Sequence, residues 1–592
     1  MDVHETADLG LLPVPRSCRL TGGTAAPGRT MEIDADDARL VRAAERLYAR
    51  YADDIAADGV PLRLTVRPGA HAQAEGYALT VAPDGIRITA GDAPGAFWGL
   101  QTLRQLIMLY GGALPCVVID DAPQLRVRGF YHDVTRGKMP KGETLHDLVE
   151  RLALFKVNEL QLYVEHAYTF KEYEGIVSPD VQMTADETRQ LDAWCKENFI
   201  ELVPSLSTFG HLYHLLQSDR YRHLCELVDY QPRSHYYIER MWHHTIDPSN
   251  AESIRVIGSL IDQYVPLFSS RRFNICCDET FDLCTGRNAG RDKAETYFSF
   301  LLQVVDRVRS HGRQVMLWGD ILLEHPELLP RLPKDVTVLN WDYNAVPNEE
   351  RVRRMAQLGI PQVLCPGTWT WSFFSPFLNE AIPNITGMAR LAAQYGAEGL
   401  LNTNWGDYFT PTPLSLTGYP LAIGAAVAWA PDTPIDAAFD RAAARLLYDD
   451  PTGDSVALLH TLSALQDGQL WLNLCWWYSD GKPLQLTAGE LERRIAACAD
   501  AADAAERLRR SGADPMFCAD ARIACRSVSL LCGIALAAVG GAPVPQAAHA
   551  AWEREFSAAW LRDNKQSELA QLIDEVRGMC DRAVQTKEGN DG

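Results

Sequence analysis

Hydrophobic and polar positions near the start of the chain follow first a strand pattern and then a helix pattern. Segments 61–68 and 76–91 alternate apolar and polar residues, as half-buried strands do. The turn sequence Pro-Asp-Gly at 83–85 divides the second segment and predicts a β-hairpin. Segment 92–110 then has the period of an amphipathic helix, with Asp92 at the N-cap position. Together these patterns predict a small α/β domain.

Short apolar runs alternate with helical patterns through the middle of the chain. Residues 123–430 contain eight such runs, separated by segments with helical period. Eight strands alternating with helices over this length predict a (β/α)8 TIM barrel. A doubly wound open sheet is the alternative, but no G-x-G-x-x-G phosphate loop follows the first run. The runs occupy residues 125–135, 159–166, 200–208, 272–279, 314–320, 336–343, 362–368 and 399–407.

Beyond residue 430 the strand pattern ends and only helical period remains. Residues 431–592 are rich in Ala, Leu, Glu and Arg, and they predict an all-helical C-terminal region. The fold class is therefore α/β: a TIM barrel with an N-terminal α/β domain and a helical C-terminal region. We place the domains at residues 1–122, 123–430 and 431–592, and expect the barrel to carry the chemistry.

The charge balance narrows the range of partners. The chain has 77 acidic and 56 basic residues, which gives a formal net charge of -21. Such a surface repels phosphate backbones and anionic lipid, so neither nucleic acid nor a membrane is an expected partner. The apolar segment 527–544 is interrupted by Gly and Pro, and we expect a buried helix there rather than a membrane span. The oligomeric state is left open.

The first residues and the cysteines bear on the cellular compartment. Residues 1–15 lack the basic stretch and the apolar stretch of an export signal. The 14 cysteines are scattered along the chain rather than set in a dense disulfide framework, so we expect reduced thiols. Both observations predict a cytoplasmic location.

Carboxylates, histidines and aromatic side chains follow the predicted barrel strands at their C-terminal ends, where a (β/α)8 barrel has its active site. Acids and Arg can hydrogen-bond sugar hydroxyls, and Trp and Tyr faces can pack on sugar rings, so the set indicates a carbohydrate partner. No H-x-H or H-E-x-x-H spacing occurs, and neither a metal nor another cofactor is expected. The residues are Arg128, Asp133, Arg136, Glu165, His166, His211, Asp278, Glu279, Trp318, Asp320, Trp341, Asp342, Tyr343, Trp369, Trp371, Asn404, Trp405, Asp407 and Tyr408.

Two adjacent carboxylates, Asp278 and Glu279, end the fourth predicted strand. Successive strand residues point to opposite faces, so both acids can reach one substrate only if the backbone leaves the strand near Asp278. The alternative is that Asp278 caps the next helix and only one of the two acids does chemistry.

The segment FNICCDET at 273–280 resembles the Asp-Glu signature of glycoside hydrolase family 20, the exo-β-N-acetylhexosaminidases. The likeness is collinear from Gly76 to Trp429. GYALTVAPDGIRITAGDAPGAFWGLQTLRQL is similar to the non-catalytic domain before that family's barrel, and LRVRGFYHDVTRGKMP to its first barrel strand. FKVNELQLYVEH, ELVPSLSTFGH, VMLWGD and NTNWGD are similar to its second, third, fifth and eighth strands.

This resemblance implies that the chain releases terminal β-linked GlcNAc or GalNAc with retention of configuration. In that family the sugar's own 2-acetamido oxygen attacks the anomeric carbon, and an oxazoline intermediate forms. Glu279 would be the general acid and then the base for water, and Asp278 would hold the acetamido nitrogen. His211 would support Glu279, with Glu165 or His166 as its partner.

The resemblance also implies substrate contacts around the two acids. Arg128 would bind hydroxyls far from the leaving group, and Asp407 would bind them from the other side. Tryptophans would wall the acetamido pocket, and Tyr343 or Tyr408 would hold the acetamido oxygen. Asp133 and Arg136 are predicted to be structural. The predicted substrate-binding residues are Arg128, Glu165, His166, Trp318, Trp341, Tyr343, Trp369, Trp405 and Asp407.

Two departures from the family pattern keep other hypotheses open. Cys276 and Cys277 stand where many members have a small residue, often Gly, and the second strand ends in YVEH rather than in a His-rich run with Asp-Asp. One alternative is a barrel glycosidase with two conventional carboxylates, which would not require the 2-acetamido group. The other is a catalytically silent sugar-binding protein, in which substitution of either acid would cause no loss of activity.

Overall fold

The N-terminal region forms a mixed six-stranded sheet with two helices. A computed structural model describes residues 8–228 and 236–590 of the chain. The first elements are β1 (Ser17–Ala25), β2 (Pro27–Asp34), α1 (Ala38–Arg50), β3 (Val60–Val66), β4 (Tyr77–Ala82), β5 (Gly85–Ala90), α2 (Ala93–Tyr110) and β6 (Leu114–Asp121). The strands lie in the order β1-β6-β4-β5-β3-β2.

The predicted hairpin and helix of this region are confirmed. β4 and β5 pair antiparallel from Tyr77↔Ala90 to Ala82↔Gly85. The Asp92 carboxylate accepts a hydrogen bond from the Gly95 N–H at 2.8 Å, so it caps α2 as expected.

Eight parallel strands form the barrel. They are β7 (Val127–Asp133), β8 (Glu159–Tyr163), β9 (Glu201–Pro204), β10 (Arg272–Asn274), β11 (Gln314–Trp318), β12 (Thr337–Trp341), β13 (Gln362–Cys365) and β14 (Gly399–Asn404). The sheet runs in the order β10-β11-β12-β13-β14-β7-β8-β9. A bridge between Ser205, directly after β9, and Asn274 of β10 joins its two edges. The predicted TIM barrel is therefore confirmed, and the C-terminal ends of its strands meet at one rim.

Helices and loops between the strands surround the barrel. They include α3 (Gly142–Leu154), α4 (Ala185–Glu197), α5 (Tyr213–Gln217), α6 (Tyr236–Arg240), α7 (Ala251–Tyr264), α8 (Lys293–Ser310), α9 (Asp320–Glu324), α10 (Glu349–Gln357), α11 (Leu378–Tyr395) and α12 (Gly418–Trp429). The boundaries we placed at residues 122 and 430 fall between β6 and β7 and directly after α12.

The C-terminal region is helical, as predicted. Its helices are α13 (Ala437–Tyr448), α14 (Asp454–Leu465), α15 (Leu470–Asp480), α16 (Ala488–Ser511), α17 (Pro515–Ala538), α18 (Gln546–Asp563) and α19 (Leu569–Asn590). By length and composition α17 could cross a membrane, and 67% of its most apolar stretch is buried inside the protein. It begins earlier than the segment we expected, includes Gly533, and ends at Ala538, before Gly540, Gly541 and Pro543.

The segment that joins α18 to α19 contacts the barrel rim directly. The Lys141 N–H donates to the Asp563 carbonyl at 2.9 Å, and the Lys565 N–H donates to the Met139 carbonyl at 2.8 Å. Pro140 and Asn564 form an antiparallel bridge. The helical region therefore holds the loop that follows the first barrel strand.

Candidate active site

A cavity of about 190 Å³ opens at the C-terminal rim of the barrel. Two of the residues that line it, Arg136 and Trp371, are not among those we predicted to bind substrate or catalyse. The other eight are predicted site residues. The described residues that line the cavity are Arg136, His211, Asp278, Glu279, Trp318, Trp341, Tyr343, Trp371, Trp405 and Asp407.

Both adjacent acids reach this cavity because the backbone turns sharply after β10. Cys276, Cys277 and Glu279 have φ values of +56°, +63° and +48°, in the left-handed region that residues other than Gly rarely adopt. The strand period is thereby broken, so Asp278 and Glu279 are not forced to opposite faces. The next long helix, α8, is capped by Asp292 rather than Asp278, which removes the alternative of a capping role.

The strained turn is held by contacts of its buried thiols. The Cys276 Sγ lies 3.4 Å from the Ser205 Oγ, and the Cys277 Sγ lies 3.2 Å from the Thr208 Oγ1. A Cβ at Gly210 would lie only 2.6 Å from the Asp278 carbonyl oxygen, so the loop after β9 can pack here only with glycine. The third and fourth strand ends therefore fit together closely behind the acids.

His211 lies between the two carboxylates. Its Nε2 is 3.3 Å from Asp278 Oδ2 and 3.4 Å from Glu279 Oε2. Burial alone would lower the pKa of His211, but the charges of Asp278 and Glu279 raise it to about 10. The imidazole is therefore cationic at neutral pH and is bound to both acids, not to Glu279 alone.

Asp320, at the start of α9, was named among the strand-end residues, but the sequence reasoning gave it no role. Its Oδ2 accepts a hydrogen bond from the Glu279 N–H at 2.8 Å. Burial and then the charge of Asp278 raise the pKa of Asp320 to about 8, so its carboxyl is mostly neutral at pH 7. Its place directly after the fifth strand was the only available signal.

Arg136 takes the place that we predicted for Arg128. Its Nη1 lies 2.8 Å from Asp407 Oδ1, and its Nε donates to Asp133 Oδ2 at 2.7 Å. The guanidinium carbon is 4.9 Å from the ring centroids of both Tyr163 and Trp405. Arg136 thus presents a fixed cation at the cavity, and our prediction that it is only structural is wrong.

Arg128 lies at the opposite end of the barrel. It is the second residue of β7, and it is 1% exposed. Its guanidinium donates to the Lys156 carbonyl at 2.9 Å and pairs with Glu75 of the N-terminal domain. The prediction that Arg128 binds substrate is therefore wrong, because the N-terminal end of a barrel strand points away from the active site.

Four of the aromatic residues that we predicted to bind substrate line the cavity: Trp318, Trp341, Tyr343 and Trp405. The Trp318 and Trp405 rings are 5.5 Å apart, and Trp341 stacks on Tyr343 at 5.1 Å. The Trp405 Nε1 donates to the Tyr343 hydroxyl at 2.6 Å. Of the two tyrosines considered for the acetamido oxygen, Tyr343 lines the cavity, whereas the Tyr408 hydroxyl accepts from Trp476 Nε1 at 3.3 Å.

Trp369 does not line the cavity. Its Nε1 donates to the Tyr343 carbonyl at 2.9 Å, and its ring stacks behind Trp371 at 5.0 Å. The predicted place of Trp369 is therefore wrong, and Trp371, two residues later, lines the cavity instead.

Glu165 and His166 also lie behind the cavity wall. Glu165 accepts hydrogen bonds from the Tyr163 hydroxyl at 2.9 Å and from Arg240 Nη2 at 2.8 Å. Although burial alone would raise it, Arg240 holds the pKa of Glu165 well below its usual range. The His166 ring packs on His214 at 4.2 Å. The predicted substrate contacts of Glu165 and His166 are therefore wrong, since neither residue lines the cavity.

Two clusters of described residues bring metal-ligating atoms within 4.8 Å of one another. In the first, His211 stands with Asp278 and Glu279, and a metal ion would have to displace the proton that the two carboxylates stabilise on the His211 ring. In the second, Glu568 stands with His166 and His214, but Arg240 Nη1 already lies 2.8 Å from its carboxylate. Neither donor set favours a metal.

A larger cleft of about 980 Å³ lies away from the strand ends, against α1, α2, α3 and α4. Among its acids, Glu150 is 3.3 Å from Arg104 and Glu197 is 2.7 Å from Arg42. The adjacent acids, the cationic histidine and the aromatic walls select the smaller cavity as the candidate active site.

Comparison with known proteins gives matches over most of the chain. Residues 8–122 match the model of "Glycosyl hydrolase family 20, domain 2". Residues 126–379 match that of "Glycosyl hydrolase family 20, catalytic domain". The two matches together cover more than half of the 592 residues.

Curated relatives are similar over part of their length. A beta-hexosaminidase of Porphyromonas gingivalis is 26% identical over 304 residues, 45% of this chain and 38% of that protein. Hexosaminidase D of Homo sapiens is 22% identical over 302 residues, 46% of this chain and 59% of that protein. The chain thus spans about two fifths of the first relative and three fifths of the second.

Solved structures share the fold. The Flavobacterium johnsoniae chitobiase has a TM-score of 0.63 at 17% identity, covering 96% of this chain and 99% of that one. A mutant Streptomyces plicatus beta-hexosaminidase in complex with its product GlcNAc has a TM-score of 0.59 at 18% identity, covering 78% and 97%.

Proposed function

Because the chain belongs to glycosyl hydrolase family 20, we propose that it is an exo-β-N-acetylhexosaminidase that releases terminal β-linked GlcNAc or GalNAc. The observation that supports this most is the placement of Asp278 and Glu279 on one cavity with His211 between them. Adjacent acids on one side of a sugar suit a reaction in which the substrate supplies the nucleophile.

In the first step the 2-acetamido carbonyl oxygen attacks the anomeric carbon as the glycosidic C–O bond breaks. Glu279 gives its proton to the departing oxygen, and an oxazolinium ion forms. Asp278, as a carboxylate, accepts the acetamido N–H and stabilises the positive charge on that group. His211 holds both acids in place through its cationic ring.

In the second step Glu279 takes a proton from water, and the oxygen of that water attacks the anomeric carbon. The oxazoline C–O bond breaks, the acetamido group is restored and the β configuration is retained. The Trp318, Trp341 and Trp405 rings would enclose the acetamido group and the sugar face. Arg136 and Asp407 would bind the hydroxyls farthest from the leaving group, because they carry fixed charge at the cavity wall.

The alternative of two conventional carboxylates is less well supported by the geometry. Asp407 is the other carboxylate among the described residues that line the cavity, and Arg136 holds it as an ion pair at 2.8 Å. A carboxylate paired in this way is a poor nucleophile, which favours substrate assistance.

The test compares aryl β-GlcNAc, aryl β-GalNAc and aryl β-glucoside with the native chain and with Glu279→Gln. We expect turnover only of the sugars with an acetamido group, and a loss of about 10²- to 10⁴-fold in Glu279→Gln, as for removal of a general acid. A thiazoline analogue of the oxazoline should inhibit the native chain. Equal hydrolysis of the glucoside would exclude substrate assistance, and no turnover of any of the three would argue for a protein that only binds sugar.

A further inference from the structure

Three successive residues after β14 have a backbone conformation that side chains disfavour. Tyr408, Phe409 and Thr410 have φ values of +54°, +76° and +47°, in the left-handed region. No other run of three non-glycine residues within residues 8–228 and 236–590 has this backbone. A turn of this kind persists only where surrounding contacts hold it in place. It directly follows Asp407, which lines the cavity.

The loop that follows β7 makes the first set of contacts to this turn. The Asp133 carboxylate accepts from the Gly406 N–H at 3.0 Å, and the Thr410 hydroxyl donates to the Arg136 carbonyl. The Arg136 guanidinium contacts the Asp407 carboxylate at 2.8 Å. A displacement of the turn would therefore move the Asp407 carboxylate relative to Arg136.

The second set of contacts comes from α15 of the helical C-terminal region. The Trp471 Nε1 donates to the Tyr408 carbonyl at 3.2 Å, and Trp471 is 2% exposed. The Trp476 Nε1 donates to the Tyr408 hydroxyl at 3.3 Å. The Tyr408 ring packs on Tyr237 at 4.3 Å, and the Tyr237 hydroxyl accepts from Arg136 Nη1 at 3.4 Å. Both tryptophans thus hold the turn from outside the cavity, which neither of them lines.

We propose that Trp471 and Trp476 are positioning residues for Asp407, so that the helical C-terminal region sets how tightly the site binds the sugar hydroxyls farthest from the leaving group. This inference rests on the function proposed above, in which Asp407 binds those hydroxyls. Removal of either indole N–H would let the strained turn relax and move the carboxylate. A contact to a remote hydroxyl is made equally before and during the reaction, so its loss should raise KM and leave kcat nearly unchanged.

The experiment removes each indole N–H but keeps an aromatic ring. The kinetics of Trp471→Phe and Trp476→Phe are measured with aryl β-GlcNAc or aryl β-GalNAc, whichever the native chain hydrolyses faster, and with the 4-deoxy and 6-deoxy forms of that sugar. These two hydroxyls are the ones farthest from the anomeric carbon. Trp552→Phe is the matched control, because Trp552 is 3% exposed in the same region and its Nε1 donates to the Ser527 Oγ at 2.8 Å.

We expect both variants to raise KM for the parent sugar about three- to tenfold, as for loss of one hydrogen bond, with kcat within about twofold of native. With the deoxy sugar that lacks the hydroxyl bound by Asp407, variant and native KM should agree within about twofold. Trp552→Phe should leave KM unchanged. A fall in kcat at unchanged KM would indicate only less folded protein, and an equal rise in KM on all three sugars would indicate a general disturbance of the site. Either result would overturn the inference and leave the proposed function standing.

The bond between Trp476 and Tyr408 allows a second test. Tyr408→Phe removes the hydroxyl that accepts from the indole, so Trp476→Phe should cause no further rise in KM in that background. Rises in KM that multiply in the double variant would overturn the role of Trp476. A native chain that hydrolyses neither aryl sugar would overturn both this inference and the proposed function.

Discussion

Among single residues, Asp320 is a buried carboxyl that the site keeps neutral at pH 7. With a pKa of about 8, it is protonated below that pH and gains a charge above it, beside Asp278. A second buried negative charge opposes the transfer of a proton to the leaving group, so we expect activity to fall as pH rises through about 8. His211, with a pKa of about 10, does not titrate in this range.

In Asp320→Asn this fall in activity, the alkaline limb of the pH profile, should move to higher pH. The amide oxygen can still accept the Glu279 N–H, but the side chain cannot ionise. The measurement is kcat/KM from pH 5 to 10 in both proteins. Asp342→Asn is the control, since Asp342 is also buried at a strand end but accepts from Asn344 and Asn348 outside the cavity. An alkaline limb that stays at the same pH in Asp320→Asn would assign the titration to another group.

The sequence located the two acids and most of the aromatic walls, but it placed the arginine wrongly. The acids directly follow an apolar run, so their position on the rim follows from the barrel alone. Arg128 is near the start of β7 and Arg136 follows its end, and the deciding fact is that β7 ends at Asp133. An arginine in the first half of an apolar run lies toward the N-terminal end of its strand, away from the active-site rim. The position of Arg128 within its run could therefore have excluded it as a substrate contact.

At the scale of elements, the turn after β10 carries backbone strain that a glycine would relieve. Cys277 has a φ of +63°, which costs about 1–2 kcal/mol for a residue with a Cβ. We therefore expect Cys277→Gly to be more stable than Cys277→Ala by about 1 kcal/mol, since both lose the thiol but only Gly loses the strain. The free energy of unfolding in urea measures the difference.

The same two substitutions at Cys195 give the matched control. Cys195 is also fully buried, but it lies in α4 with helical backbone. There Cys195→Ala should be the more stable variant, by about 1 kcal/mol, because Gly is unfavourable in a helix interior. The same order of stability at both positions would mean that the turn is not strained.

This turn also shows why element boundaries were harder to predict than element types. Apolar runs located all eight strands, yet β10 has only three residues, Arg272–Asn274, where the pattern extends to Glu279. Cysteine carries no signal for a left-handed backbone, so Cys276 and Cys277 were interpreted as a continuation of the strand. The strand ends where tertiary contacts with Ser205 and Thr208 impose another conformation.

At the scale of the whole molecule, a series of contacting charged and polar side chains connects the helical C-terminal region to the active site. Glu568 lies 2.8 Å from Arg240, and Arg240 lies 2.8 Å from Glu165. Glu165 accepts from the Tyr163 hydroxyl, and the Tyr163 ring lies beneath the Arg136 guanidinium. The C-terminal region therefore helps to orient the arginine that faces the cavity.

Glu568→Gln should weaken the contact with Arg240, because it removes the charge but keeps a side chain of similar size. We expect a loss of about 2 kcal/mol in stability, as for a buried hydrogen bond to a charged group, and a fall of about tenfold in kcat/KM of the folded protein. Glu553→Gln is the control, because its ion pair with Arg577 is at the surface and contributes little. Reduced stability with unchanged kcat/KM would show that Glu568 serves the fold alone.

The bond between the Gly137 N–H and the Glu568 carboxylate spans 431 residues of sequence. A ribosome makes the chain from its N-terminus, so the loop beside Arg136 emerges long before its partner does. The barrel can therefore close around its strands during translation while its catalytic rim stays unfinished. Activity should appear only after the chain has emerged beyond Glu568, because the loop beside Arg136 lacks this partner until then.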